Sequence, residues 1–170
     1  MIYYTSDTHF GHTNIIRFAN RPYKNVEEMD EDIIARWNSK VKPGDLVYHL
    51  GDFSWRDHKK YRQRLNGALV LLIGNHDKGL HESYFAEVCR YKEIKDNKQK
   101  LVLFHYPIWS WNGMHHGTIH LHGHVHANPV PPNEQEDIGS ALVGRRININ
   151  LEFWDYEPKT IEEIKERYEL

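Results

Sequence analysis

An α/β fold with its functional site at the strand ends follows from three features of the sequence. Short apolar runs rich in Ile, Val, Leu or Tyr recur along the chain: IYYTS, DLVYHLG, ALVLLIG, KLVLF and TIHLHG. Segments with helical spacing of apolar residues lie between them. Each run stops at residues able to bind a metal or a proton: Asp7, Asp52, the Asn75-His76-Asp77 triplet, His105, and His124 with His126. Open α/β sheets hold ligands beyond the carboxyl ends of their strands, so five such endings predict one shared site.

The elements follow in order. HTNIIRFAN (12–20) predicts a short helix after the first strand. VEEMDEDIIARWNSKV (26–41) predicts a longer one, because Val26, Met29, Ile33, Ile34, Trp37 and Val41 are spaced by threes and fours and Pro43-Gly44 ends the pattern. WRDHKKYRQRLN (55–66) is expected to be helical. YKEIKD and QKLVLF predict a hairpin across Asn97-Lys98, and GRRINININLEFW alternates Ile with Asn, as a strand with one apolar face does. TIEEIKERYEL closes the chain as a helix, with Thr160 as N-cap, Glu163 completing a capping box, and Ile161, Ile164 and Tyr168 on one face. The Pro-rich, acidic stretch ANPVPPNEQEDIGS (127–140) reads as a loop. No linker or repeat divides residues 1–170, which are expected to form one domain.

Composition narrows the class. A chain with 39% hydrophobic and 27% charged residues reads as soluble and globular. The formal net charge of −2 argues against a strongly basic nucleic-acid binder, although a local basic patch remains compatible with it. The single cysteine, Cys89, precludes an internal disulfide and fits a reducing compartment. No apolar run approaches the roughly 18 residues of a membrane span. MIYYTSDTHF has neither the basic start nor the apolar core of a signal peptide. A cytoplasmic protein without a membrane partner is expected.

The chemistry lies in histidine and carboxylate. Residues 115–126 hold six of the 13 histidines, and His120, His122, His124 and His126 alternate as on one strand face. Asp7-Thr8-His9 pairs an oxygen with a nitrogen donor at i and i+2, a mixture that suits Mn²⁺, Fe²⁺ or Zn²⁺. Asp52 after Gly51 could bridge two cations, because a carboxylate has two oxygens. Asn75 in Gly74-Asn75-His76-Asp77 offers a neutral oxygen, although Gly, Asn and Asp also form ordinary turns. His105 and the pair His124/His126 add imidazoles at two more strand ends. His12 either reaches the site or faces solvent at a helix start, and Asn14 and Arg17 are weaker candidates of the same kind. Arg56, Lys59, Lys60, Arg62 and Arg64 form either a phosphate-binding surface or, more simply, a solvated helix face.

Taken together and in order, D-x-H, G-D, G-N-H-D, H and G-H-x-H resemble the calcineurin-like metallophosphoesterases. The resemblance spans Asp7 to His126 with every core motif present. DTHFGHTNII, LGDF and GRRINININLEFWDYEP look like a compact bacterial and bacteriophage branch. The resemblance implies a β-sandwich flanked by helices on both faces, an αββα fold. It implies one metal on Asp7, His9, Asp52 and His126, and a second on Asp52, Asn75, His105 and His124. Mn²⁺ is the first choice, with Fe, Zn²⁺ or Ni²⁺ as alternatives. It also implies in-line attack on phosphorus by a hydroxide between cations roughly 3.5–4 Å apart. His76 would be the general acid and Asp77 its orienting partner. His12, if it does not face solvent, is the further catalytic candidate, within reach of the phosphate or the metal-bound water.

The expected activity is therefore phosphoester hydrolysis on a phosphoester substrate, nucleotides and nucleic acids included. No protein partner can be inferred. Only residues 106–123 separate His105 from His124, and no cap domain is expected there or at either end, so an open site favours phosphodiesters. A nuclease and a phosphomonoesterase are the alternatives. Lys78-Gly79-Leu80 lacks the arginine that protein phosphatases of the superfamily carry in this region. A binding scaffold of the same fold, or a regulatory metal-binding protein, is the non-enzyme reading. His120 and His122 are expected to pack near the site and steady a ligand, while His115 and His116 belong to a loop that could meet substrate.

Overall fold

The computed structural model describes residues 1–127 and 145–170. The acidic loop expected at 127–140 lies outside them apart from Ala127, as does Gly144 of the alternating Ile/Asn run. Two four-stranded sheets, flanked by helices, pack face to face. The first sheet is β1 (Ile2–Thr5), β2 (Leu46–His49), β3 (Ala68–Leu72) and β4 (Glu87–Cys89), in that order and all parallel. The second is β5 (Tyr91–Asp96), β6 (Gln99–Phe104), β7 (Ile119–His122) and β8 (Arg146–Asn148). There β5 and β6 form the expected antiparallel hairpin, turning at Asn97 and Lys98, which both take positive φ. β6, β7 and β8 run parallel.

Residues of the central strands alternate between two buried faces. Tyr4, Tyr48, Leu50, Val70 and Leu72 point inward to meet Leu101, Leu103, Ile119, Leu121 and Ile147 from the second sheet. On the outer face of the first sheet, Tyr3, Val47, Leu69 and Leu71 meet Met29, Ile33, Ile34 and Trp37 of helix α2 (Val26–Lys40). Each such fully buried aliphatic side chain contributes about 1.5–3 kcal/mol. Asn25 caps α2 by accepting from Glu28 N at 2.8 Å. Helix α1 (Thr13–Phe18) follows β1 as expected, and α4 (Ile161–Arg167) carries the expected Thr160/Glu163 capping box. Ile161 and Ile164 of α4 are buried in the inter-sheet core. The outer face of the second sheet bears His120 and His122, with the Trp111 ring against His120.

Three expectations need correction. The helix expected over 55–66 is only α3 (His58–Arg62), because Trp55 N continues the extended pairing to Phe10 O and Asp57, at φ 53°, caps Lys60 N. The solvated face expected of the basic residues there needs correction at Arg62, which donates to the Leu65 and Gly67 carbonyls, whereas Arg56, Lys59, Lys60 and Arg64 are exposed and Arg64 pairs with Glu31 at the surface. The Ile/Asn run forms a regular strand only from Arg146 to Asn148, beyond which Asn150 adds a single bridge to Ser6. Ile147 and Ile149 are buried as predicted, but so is Asn150, whose side chain accepts from Glu152 N and turns the chain into a 3-10 helix, Leu151–Phe153.

Two buried histidines set a pH limit on stability. Burial pushes His49 down to about 3 and His120 down to about 4. Both are neutral in the folded protein, whereas the unfolded chain takes up protons below roughly 6.5. Their contribution is therefore complete above about pH 6.5 and is lost as pH falls towards 4, by about 1.4 kcal/mol per pH unit for each. Buried Asp7, pushed up to about 6, works in the opposite sense. His120→Gln should consequently be less stable at pH 7.5 but show a flatter fall in urea midpoint between pH 7 and 5. An unchanged slope would contradict this account.

Candidate metal centre

Parallel pairing places the carboxyl ends of β1, β2 and β3 along one edge of the first sheet, and those of β6, β7 and β8 along one edge of the second. The two edges meet where Ser6 bridges Asn150. Backbone bonds lock the loops together there: Asp7 N to Gly51 O at 2.9 Å, His9 N to Asp52 O at 3.0 Å and Gly123 N to His105 O at 2.9 Å. Packing is close enough that a Cβ at Gly74 would collide with the Asp52 carboxylate and backbone, and one at Gly123 with Asp7 and Ser6. Asp7, His9, Asp52 and His124 all take positive φ, a backbone state costing about 1–3 kcal/mol for a residue with a side chain and concentrated at functional sites.

Two donor groups result. Asp7, His9 and His126 form one, and Asp52, His105 and His124 the other, each with donor atoms within 4.8 Å of one another. Asp52 joins them. Its Oδ2 lies 3.6 Å from His9 Nε2 and 3.6 Å from His105 Nε2, while its Oδ1 accepts from His76 N at 2.9 Å. Asn75 Oδ1 completes the second group, 3.0 Å from His105 Nε2 and 3.1 Å from His124 Nδ1. All seven residues predicted as ligands are thus brought together.

The donor set suits cations. Asp7, Asp52, His9 and His105 are buried, and burying two carboxylates is costly without compensating charge. His9 Nε2 is buried with no hydrogen-bond partner among the described residues, an unusual state for a ring nitrogen. Burial, reinforced by Arg21 and neighbouring histidines, holds His9 well below the usual imidazole range, so it presents a lone pair. His105 Nδ1 donates to Leu50 O at 2.7 Å, which turns its Nε2 lone pair to the centre. Oxygen and imidazole donors without thiolate fit Mn²⁺, Fe or Zn²⁺.

The remaining candidates separate. The His76 ring stands beside His9, with centroids 5.5 Å apart, and Trp55, at 5.6 Å. Asp77 does not orient that ring. Its oxygens accept from Asp52 N, Phe53 N and Gly74 N, each at 2.8 Å, so it staples the two metal-site loops together. His12 does not face solvent: it stacks on Trp55 at 4.1 Å and its Nδ1 lies 3.4 Å from His9 Nδ1. Asn14 and Arg17 are exposed on α1. His115 and His116 precede β7, at the end of the strands opposite the donor groups. His120 and His122 occupy the outer face of the second sheet, and their rings bond to backbone groups, among them Val102 O, Tyr106 O and Gly123 O, rather than to a ligand side chain. The alternation that united four histidines breaks at His124, which turns into the left-handed region after β7 ends.

Arg21 and Glu152 were not anticipated. They are buried, paired at 2.8 Å and 131 residues apart, and Glu152 Oε1 lies 2.8 Å from His126 Nδ1. Glu152 lies in the stretch GRRINININLEFWDYEP and Arg21 in no motif, and no signal in a single sequence pairs residues so distant.

Fold and site define the class: a two-sheet α/β protein whose strand ends present two carboxylate–imidazole donor groups joined at one aspartate. No family model matches the chain. It is 39% identical over 166 residues to the uncharacterized protein MJ1445 of Methanocaldococcus jannaschii, covering 95% of this chain and 87% of that protein. The crystal structure of AQ665, a protein of unknown function from Aquifex aeolicus, matches with a TM-score of 0.75 at 32% identity, over 98% of each chain. The protein belongs to the family these two represent. The structure of an archaeal phosphodiesterase is also matched, at 17% identity and a TM-score of 0.46 over 74% of this chain and 73% of that one, a likeness too slight to bear on activity.

Proposed function

We propose that residues 1–170 form one metallophosphoesterase domain of the calcineurin-like superfamily, in a compact branch without a cap, that hydrolyses phosphodiesters with two divalent cations. The observation that carries this reading is Asp52, whose Oδ2 stands 3.6 Å from an imidazole nitrogen of each donor group. Asp7, His9, Asp52 and His126 would hold one cation, and Asp52, Asn75, His105 and His124 the other. Bound there, cations such as Mn²⁺ would neutralise phosphate oxygens and lower the pKa of water.

The chain's own groups supply the rest. His76, on the loop that its N–H ties to Asp52, protonates the departing oxygen. His12 steadies His9 from the side away from Asp52, and Asp77 keeps the Asp52 and Asn75 loops in register. One observation favours nucleotides or nucleic acid among phosphodiesters. Trp55, 42% exposed, sits beside His76 and offers a flat aromatic face of the kind on which bases stack.

The test is turnover of bis-p-nitrophenyl phosphate, p-nitrophenyl phosphate, cyclic nucleotides and single-stranded nucleic acid with added Mn²⁺. Diester hydrolysis that a chelator abolishes is expected. No turnover on any of them at full metal occupancy would favour a scaffold.

A further inference from the structure

We propose that Glu152, held by Arg21, is the positioning residue that fixes His126 as a ligand of the first cation; this rests on the two-metal reading above. Glu152 Oε1 lies 2.8 Å from His126 Nδ1, and its Oε2 accepts from Ala127 N at 2.9 Å, so one carboxylate holds both the ring and the backbone that follows it. The Asn150 amide, which donates to Val125 O at 3.2 Å, is also near Nδ1, at 3.3 Å. The carboxylate is closer and can only accept, so Nδ1 carries the proton and Nε2 keeps its lone pair. That nitrogen faces Asp7 Oδ1, 4.0 Å away.

Arg21 ties the same carboxylate to the other ligands of this group. Its Nε donates to Glu152 Oε1 at 2.8 Å, its Nη1 to Thr8 O at 3.0 Å and its Nη2 to Asp7 O at 2.6 Å. One guanidinium therefore sets the spacing between the Asp7-Thr8-His9 segment, from the first sheet's edge, and His126, from the second. The side chains of Arg21 and Glu152 are 0% and 2% exposed. A buried ion pair is a weak stabilising device compared with apolar packing of the same volume. Its bonds here go instead to the segments that carry Asp7, His9 and His126. The second group is backed differently: His105 leans on a neutral carbonyl, Leu50 O. Carboxylates behind ligand histidines fix ring orientation and raise ligand basicity, and their loss weakens metal binding about 10–100-fold.

The experiment is calorimetric titration of metal-free protein with Mn²⁺. Glu152→Gln should weaken one of the two equivalents about 10–100-fold and the other less than about 3-fold. Glu152→Asp keeps the charge beside Arg21 but withdraws it from His126, and should weaken the same equivalent at least about tenfold; it also decides the matter if the glutamine variant does not fold. Unchanged binding in the folded variants would overturn the proposal. So would equal weakening of both equivalents with a lowered metal-free melting temperature, which marks a brace of the fold alone. Wild-type protein that binds two Mn²⁺ yet hydrolyses no phosphoester would sink the phosphoesterase reading and leave this one intact.

Discussion

Asp52→Asn is expected to strip the centre of both cations at once. The change keeps size and shape but removes the charge that the two donor groups share. Asp52 Oδ2 faces His9 and His105 at 3.6 Å each, and no other carboxylate oxygen among the described residues is so placed. Substituting any other predicted ligand should cost one cation; substituting this one should cost two. Bound cations would contribute several kcal/mol of transition-state stabilisation, so turnover should fall by about 10³ or more. The fold should survive, because Oδ1 can still accept from His76 N. Elemental analysis after dialysis, beside the rate, checks both halves. Retention of one full equivalent of metal would show that the two groups are independent.

His76→Ala should separate chemistry from metal binding. The side chain is not needed to complete either donor group, so both cations should remain. Loss of a general acid costs about 10²–10⁴ in rate. That loss should be largest for poor leaving groups such as alkoxides, and shrink for p-nitrophenolate, which departs without a proton. KM should change little. Equal losses on both kinds of ester would mean that His76 binds the phosphate rather than protonating the leaving group. Asp77 gives a contrasting case. Its oxygens are spent on three backbone amides, so Asp77→Ala should lower stability and metal affinity together rather than mimic His76→Ala.

Much of this was legible in the sequence, for a physical reason. Strands buried on both faces, as in the first sheet, read as unbroken apolar runs, and parallel pairing delivers their ends to one edge. Helix α2 was plain because its apolar spacing and its stop signal agree. Loop geometry was not legible. Nothing in WRDHKKYRQRLN shows that Asp57 turns left-handed and delays the helix, or that Trp55 is left beside His12. Periodicity misled at HLHGHVH: a period of two places His120 and His122 correctly on one face, but that face is the outer one, and the turn at His124 ends the pattern. Orientation of the ligands was beyond reach as well. Arg21 and Glu152 meet across 131 residues, and Leu50 orients His105 through a backbone carbonyl that its side chain does not reveal.

The central claim is that one aspartate joins two cation sites. Anomalous diffraction from crystals grown with Mn²⁺ tests it most directly. Two peaks are predicted, one among Asp7, His9 and His126, the other among Asn75, His105 and His124, with Asp52 adjoining both. A single peak, or peaks away from these side chains, would contradict it.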